Sequence, residues 1–395
     1  MIPGGRARCH LRPRSRGYFA GMSSTPAPAA RPRPASIFSP VIDFLLVGGL
    51  SLIVLVPLLL SGVDDLAFIG IAALAWAQIL INMSHFMASY RIVYRDKGMI
   101  LRHKWATLGV PVLLVLYILL AIEQARTGPP ILVGILVAVS SGYLAWHYTG
   151  QVWGMMASYS YLDGVRFEPD ERKLVRASLQ VLLAWHVVWA AHIWYSQTNL
   201  TEPAWLGQLY ATTPAFGLVA LVLGALGMAR LRRRTGRLPP GRAIVAWAAI
   251  FVWYAALYRW GLAGLFLVQL AHALQYLEFP ARVELNRATH RGVGKAAAHM
   301  AIYAGVLVLV SFIVTQFVPG PAMSSLATFV DGERRSVVPV LILTFINIHH
   351  YFTDGVIWKI SNPEVRKELF AHIEPAAPAA SAAPVKAPKR SRIKR

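Results

Sequence analysis

The chain has 395 residues, 56% of them hydrophobic and 14% charged, with a mean hydropathy of +0.50. That balance is too apolar for a water-soluble domain, and it excludes intrinsic disorder; a single cysteine, Cys9, excludes a disulfide scaffold and a thiolate metal site in the core. The formal charge of +21 lies in basic runs with no aromatic-interleaved domain, which argues against nucleic acid and for an anionic membrane surface, where each nearby Lys or Arg gains about 1 kcal/mol.

Residues 1–38 read as a disordered basic tail. Arg6, Arg8, Arg12, Arg14, Arg16, Arg31 and Arg33 stand there without an acid, and no short apolar core with a small-residue cleavage site marks a signal peptide. The Ala/Arg/Pro/Gly bias is that of a high-GC bacterial genome, and Met22 is an alternative start. Residues 39–360 read as a multi-pass transmembrane domain. A hydrocarbon core of about 30 Å calls for roughly 20 helical residues, which places spans at about 41–60, 67–90, 105–122, 131–159, 174–196, 211–229, 243–258, 261–279, 299–317 and 337–358. Only Arg259, Trp260 and Gly261 separate the seventh from the eighth, so these two can form one bent pair. Residues 361–395 read as a basic cytoplasmic tail. The expected class is all-α: a polytopic helical membrane bundle of about ten transmembrane helices.

Charge gives an independent reading of topology. The even-numbered connections carry Arg91, Arg95, Lys97, Arg102 and Lys104, then Arg166, Arg172, Lys173 and Arg176, then the Arg230–Arg242 cluster, then Arg282, Arg287, Arg291 and Lys295. The odd-numbered connections hold only Arg126, Arg259, Arg334 and Arg335. Positive charge stays inside, so both termini are expected in the cytoplasm of a bacterial inner membrane. No internal repeat is evident, which weighs against a transporter of inverted halves.

Inside the spans, ionisable and amide side chains are expensive, about 2.5–3.5 kcal/mol for a charge at the bilayer centre, and they ask for partners. Gln78, Asn82, His85 and Ser89 share one face of the second span. His147, Gln151, Gly154 and Ser158 do so in the fourth, and Gln269, His272, Gln275 and Glu278 form a slowly rotating stripe in the eighth. The tenth ends with Asn347, His349, His350, Asp354, Trp358 and Lys359, with His350 and Asp354 one turn apart. These four spans run in the same direction, so their histidines fall at comparable depth. His186 and His192 in the fifth span face different ways, and at most one can join them. His103, His290 and His299 read as interfacial. Asp163, Glu168, Asp170 and Glu171 read as a solvated cap on the fifth helix, and the many tryptophans as interfacial belts.

Imidazoles converging at one depth suit a metal ion gathered from facing helices, with His85, His147, His272, His349 and His350 as metal ligands. Asp354 would be a carboxylate ligand or orienter and Glu278 a second carboxylate or proton carrier, while Gln151, Asn82 and Asn347 would fix imidazole tautomers. The spacing departs from the HxxxH and HxxHH boxes of membrane desaturases and hydroxylases, with Ile346, Ser89, Gln151 and Ala190 where a further histidine would stand. No P-loop, nucleophile elbow, dinucleotide fingerprint, HExxH or haem-attachment motif is present. The first expectation is a metal-dependent oxidoreductase, iron foremost, acting on a membrane lipid or other hydrophobic small molecule such as an acyl chain, isoprenoid or carotenoid, with a redox partner of unidentified kind. The rivals are a proton-coupled transporter, a haem-binding electron carrier and a bundle in which the polar residues are only interhelical glue.

Overall fold

Ser39 starts the first helix. Its Oγ accepts the Ile42 N–H at 3.2 Å, and Pro40 takes the first turn, where a missing N–H costs nothing. The computed structural model describes residues 36–66, 68–70, 73, 76–196, 201–289, 292–316, 327–330, 333–336, 338–358 and 363–373. Among them the regular structure is helical apart from one antiparallel strand pair, Ala327–Val330 with Glu333–Ser336. In order the helices are α1 (Pro40–Leu60), α2 (78–94), α3 (Lys97–Arg102), α4 (Trp105–Thr127), α5 (Ile131–Leu162), α6 (Pro169–Ser196), α7 (Ala204–Ala211), α8 (Thr213–Thr235), α9 (Gly241–Thr289), α10 (Val293–Gln316), α11 (Val338–Ile357) and α12 (Pro363–Leu369). Of the basic tails expected at the two ends only residues 36–38 and 363–373 are described, and Lys359 and His290 lie outside the described residues.

Eight of the described helices are long and apolar enough to cross a membrane: α1, α4, α5, α6, α8, α9, α10 and α11. These eight differ from the ten expected spans in two places. The second span begins among residues outside the description, and its described part, α2, opens with a π-helical turn over Gln78–Met83. The seventh and eighth spans are continuous in α9, a 49-residue element bent at Gly261, whose φ of 55° and ψ of −126° only glycine adopts freely. The bend is a reversal. A Cβ on Gly264 would lie 2.3 Å from the Ala256 carbonyl oxygen, although a straight helix would hold these residues about 12 Å apart. Trp253 and His272, one on each arm, both pack on Tyr148. The arms are about 30 and 42 Å long, each sufficient to span the hydrocarbon core.

Polarity is inverted relative to a soluble protein. Leu113, Leu116 and Leu120 of α4 and Ile302 and Leu309 of α10 face outward, while Asn82, Gln275, Glu278 and six of the described histidines are buried. An apolar exterior of this extent is a liability in water and a necessity in lipid. Glycines let helices approach closely. In α8, Cβ atoms on Gly224 and Gly227 would meet the Trp247 ring and Val175 at 2.4 and 2.8 Å.

The basic connections gather at one end, tied by Arg242–Asp43 (2.9 Å), Arg234–Glu171 (2.7 Å), Arg91–Glu284 (3.3 Å) and Arg287–Glu368 (2.6 Å). At the other end Arg259 pairs with Asp64 and His192 with Glu202. The acidic segment before α6 is less solvated than its composition suggests. Glu171 is buried, accepts the Glu168 N–H and takes a two-pronged contact from Arg234, so it caps the helix and anchors α8 together.

Candidate metal centre

Four histidines from four separate segments meet in the interior: His85 of α2, His147 of α5, His272 of the second arm of α9 and His350 of α11. Their ligand-bearing atoms all lie within 4.8 Å of one another, and none of the four residues is more than 5% exposed. The rings form a closed circuit of edge-to-face neighbours. Centroids are 4.7 Å apart for His85 and His350, 5.0 Å for His350 and His147, 4.8 Å for His147 and His272, and 5.3 Å for His272 and His85.

Hydrogen bonds fix the protonation of two of these rings. His85 Nδ1–H donates to the Asn82 carbonyl, one turn earlier on its own helix, so the lone pair is left on Nε2, which has no partner. His350 Nδ1 lies 3.0 Å from Ser89 Oγ, and Ser89 in turn donates to Asp354 Oδ1 at 2.9 Å, as does Tyr276 at 2.8 Å. The consistent proton assignment has His350 Nδ1–H donating to Ser89, which leaves the His350 Nε2 lone pair facing inward without a hydrogen bond. Trp358 Nε1 donates to the Tyr276 hydroxyl at 2.7 Å and completes the chain. Two buried imidazole lone pairs without donors cost about 1–3 kcal/mol each unless an electrophile takes them up.

Asp354 is held by one oxygen and offers the other. While Oδ1 is engaged by the two hydroxyls, Oδ2 lies 3.1 Å from His350 Nε2, outside hydrogen-bonding geometry, and 3.8 Å from His147 Nε2. His147 and His272 face each other Nε2 to Nε2 at 3.1 Å. Four imidazoles and a carboxylate, all nitrogen and oxygen donors, could hold a metal ion here, since metal–nitrogen bonds of about 2.0–2.1 Å bring neighbouring ligands to comparable separations.

Other residues singled out by sequence lie elsewhere. His349 is turned away by its single-residue offset from His350. Its Nε2 is 3.1 Å from the Tyr94 hydroxyl, and its ring stacks on Tyr90. Glu278 is buried two turns beyond His272, accepting from Tyr159, whose ring lies under Arg242. His186 is fully buried among Tyr148, Trp189 and Tyr254, and His192 bonds Glu202 at 2.8 Å. His299 is paired with buried Glu284 at 3.0 Å. Gln151 bonds the His272 carbonyl at 3.1 Å and Gln275 Oε1 at 2.9 Å, so it holds backbone rather than an imidazole, and Asn82 acts through its carbonyl. Ser89 and Tyr276 do the orienting. Tyr276 does carry a sequence signal, its position one turn after His272.

A cleft of about 210 Å³ reaches this centre. His147, Asp354 and Tyr276 form its inner end, and Gly150, Gly154, Phe279 and Trp358 its walls. A Cβ at Gly150 or Gly154 would meet nothing within 4 Å, so both glycines widen the passage.

Compared with protein-family models, curated proteins and solved structures, the chain matches none.

Proposed function

We propose that His85, His147, His272 and His350 hold one metal ion, with Asp354 as a further ligand or as the carboxylate that orients them. On this reading the chain is a membrane-embedded, metal-dependent oxidoreductase acting on a lipid-soluble substrate. The observation that carries the proposal is the convergence of four buried imidazoles within 4.8 Å, two with inward lone pairs that no protein group satisfies. Iron is the first choice, because a histidine and carboxylate set without thiolate, and with one side left accessible, suits oxygen-activating non-haem iron. Such an ion would supply one-electron chemistry and polarise a bound oxygen donor. The chain's own part is to keep Nδ1 protonated on His85 and His350, to hold Asp354 Oδ1 through Ser89 and Tyr276, and to exclude bulk water with apolar walls. The cleft at Gly150 and Gly154 supports entry of an acyl chain, isoprenoid or carotenoid from the bilayer. The basic end of the bundle is assigned to the cytoplasmic side of a bacterial inner membrane by its arginines.

The spacing favours an ion over haem. Rings packed on four sides at 4.7–5.3 Å leave no plane for a macrocycle. The deciding experiment is elemental analysis of detergent-purified protein grown with iron, manganese, copper and zinc. About one metal equivalent per chain is expected, lost in His85→Ala and His350→Ala, with no haem absorption band. Metal-free wild-type protein, or metal retained after both substitutions together, would overturn the assignment.

A further inference from the structure

Two cavities follow one another along a single face of the second arm of α9. Tyr276 and Phe279 border the cleft that reaches His147 and Asp354, while Val283, Asn286 and Arg287 border a second cavity of about 560 Å³. Steps of three or four residues place all five side chains on one helical stripe. Trp358 lines both cavities, so one wall is shared. Their chemistry changes along the stripe. Only Asp354 carries a formal charge around the first, apart from the imidazole of His147. The second is walled by Arg95, Arg102, Arg287 and Lys367 against Asp96 and Glu368, an excess of cations at the basic end of the bundle. Both acids have engagements. Asp96 accepts the Gly98 N–H at 3.1 Å, and Glu368 takes Arg287 at 2.6 Å with Arg95 at 3.7 Å. Arg287 Nη1 makes no hydrogen bond, although it lies 3.7 Å from Glu284 Oε1.

We infer that the chain binds an anionic single-chain amphiphile, its carboxylate or phosphate head in the basic cavity and its apolar tail running past Trp358 into the cleft at His147 and Asp354. Arg287 and Tyr276 are eleven residues apart, about 16 Å along the helix, so a long hydrocarbon chain bridges head site and metal centre. An apolar cleft alone accepts any hydrophobic molecule. The arginines add selection for a charged head, and they fix the depth at which a given carbon of the tail meets the centre. This inference rests on reading the cleft as the substrate path and narrows the substrate class of the proposed function.

The test is equilibrium binding of radiolabelled hexadecanoate and of hexadecanol to the full chain in phosphatidylcholine discs, at alkaline pH where the acid is ionised. The acid is expected to bind about tenfold more tightly than the alcohol. Arg95→Gln with Lys367→Gln should remove most of that preference and leave the alcohol unchanged, whereas Gly154→Leu should weaken both ligands. Equal affinities for acid and alcohol in the wild-type chain would overturn the inference, and that comparison stands even if the double variant fails to fold. Displacement of hexadecanoate by millimolar inorganic phosphate would reassign the basic cavity to a free anion. Binding insensitive to Gly154→Leu would reassign the molecule to the lipid around the bundle. Either result overturns it too. Binding requires no turnover, and metal content is read on the same samples, so failure of the oxidoreductase reading and failure of this one leave different records.

Discussion

His147 and His272 stand Nε2 to Nε2 at 3.1 Å across the contact between α5 and the second arm of α9. In a site closed to water, either one ring donates a proton to the other or both lone pairs address a cation. The inward lone pairs of His85 and His350 favour the cation, since a lone hydrogen bond between His147 and His272 would leave the other two rings unsatisfied. His272→Ala should therefore lower metal affinity by about 100-fold or more, while His349→Ala, on the face toward Tyr90 and Tyr94, should leave stoichiometry unchanged. Chelator competition with the two purified variants checks this. Equal metal loss in both would show that burial, not ligation, sets metal content.

Tyr276 touches the centre through its hydroxyl on Asp354 and Ser89 and through its ring against His85 and His350, so removing the hydroxyl alone tests positioning. Tyr276→Phe deletes one of the two hydroxyls on Asp354 Oδ1 and leaves the ring in place. Loss of such an outer contact costs about 10–100-fold in metal affinity or activity. Asp354→Ala should cost at least as much. The double variant should be little worse than Asp354→Ala alone, because the hydroxyl then has no acceptor at that position. Additive losses in a chelator titration would mean that the two residues act separately.

Much of the bundle is legible in the sequence because apolar runs and charged breaks report the bilayer directly, and α1, α4, α5 and α8 begin within about three residues of the spans expected for them. The site is legible only where helical geometry keeps residues in register. His350 and Asp354, four apart, stay on one face, as do His272 and Tyr276. The stripe from His272 to Glu278 advances by threes, and each such step drifts by about 60°, so Glu278 leaves the face that His272 presents. His349 and His350 differ by a single residue, and composition has no means of saying which of the two faces inward. The π turn over Gln78–Met83 is invisible to a 3.6-residue period, yet it sets how Asn82 and His85 follow Gln78.

The cleft gives a separation between metal binding and substrate access. Gly150 and Gly154 have open space beyond their Cα atoms, so Gly150→Leu and Gly154→Leu should fill the passage without straining the backbone. Both variants are expected to keep one metal per chain and to lose most turnover of a lipid-soluble substrate. Parallel elemental analysis and product assays check this. Full turnover with the cleft filled would send the substrate path elsewhere.

Asp43 tests the basic end of the bundle. This fully buried carboxylate accepts the N–H groups of Ile37, Phe38 and Ser39 and pairs with Arg242 at 2.9 Å. Asp43→Ala leaves the guanidinium and three backbone donors without their acceptor, and breaking a buried pair on one side costs about 3–5 kcal/mol. Asp43→Asn keeps one carbonyl acceptor and should cost less. Thermal unfolding in detergent should order the three proteins as wild type, Asn, Ala. An unchanged midpoint for Ala would show that the pair contributes nothing to the fold.

The reversal in α9 links fold to site, because His272 reaches its partners only if the second arm returns alongside the first. Gly264 makes that return possible: any Cβ there would press on the Ala256 carbonyl, which is backbone and cannot rotate aside. Gly264→Val should force the arms apart, at about 1–3 kcal/mol for overpacking if the bundle yields locally. Displacing one of four ligands should then weaken metal binding although the substituted residue lies two turns from His272. Gly217→Val, at a position with nothing within 4 Å, provides the comparison and should leave both stability and metal content intact. If Gly264→Val retained full metal affinity with an unchanged unfolding midpoint, the arms would have to pack more loosely than the Gly264–Ala256 contact requires. The position of His272 would then have to be set by Tyr148 and Gln151 rather than by the reversal.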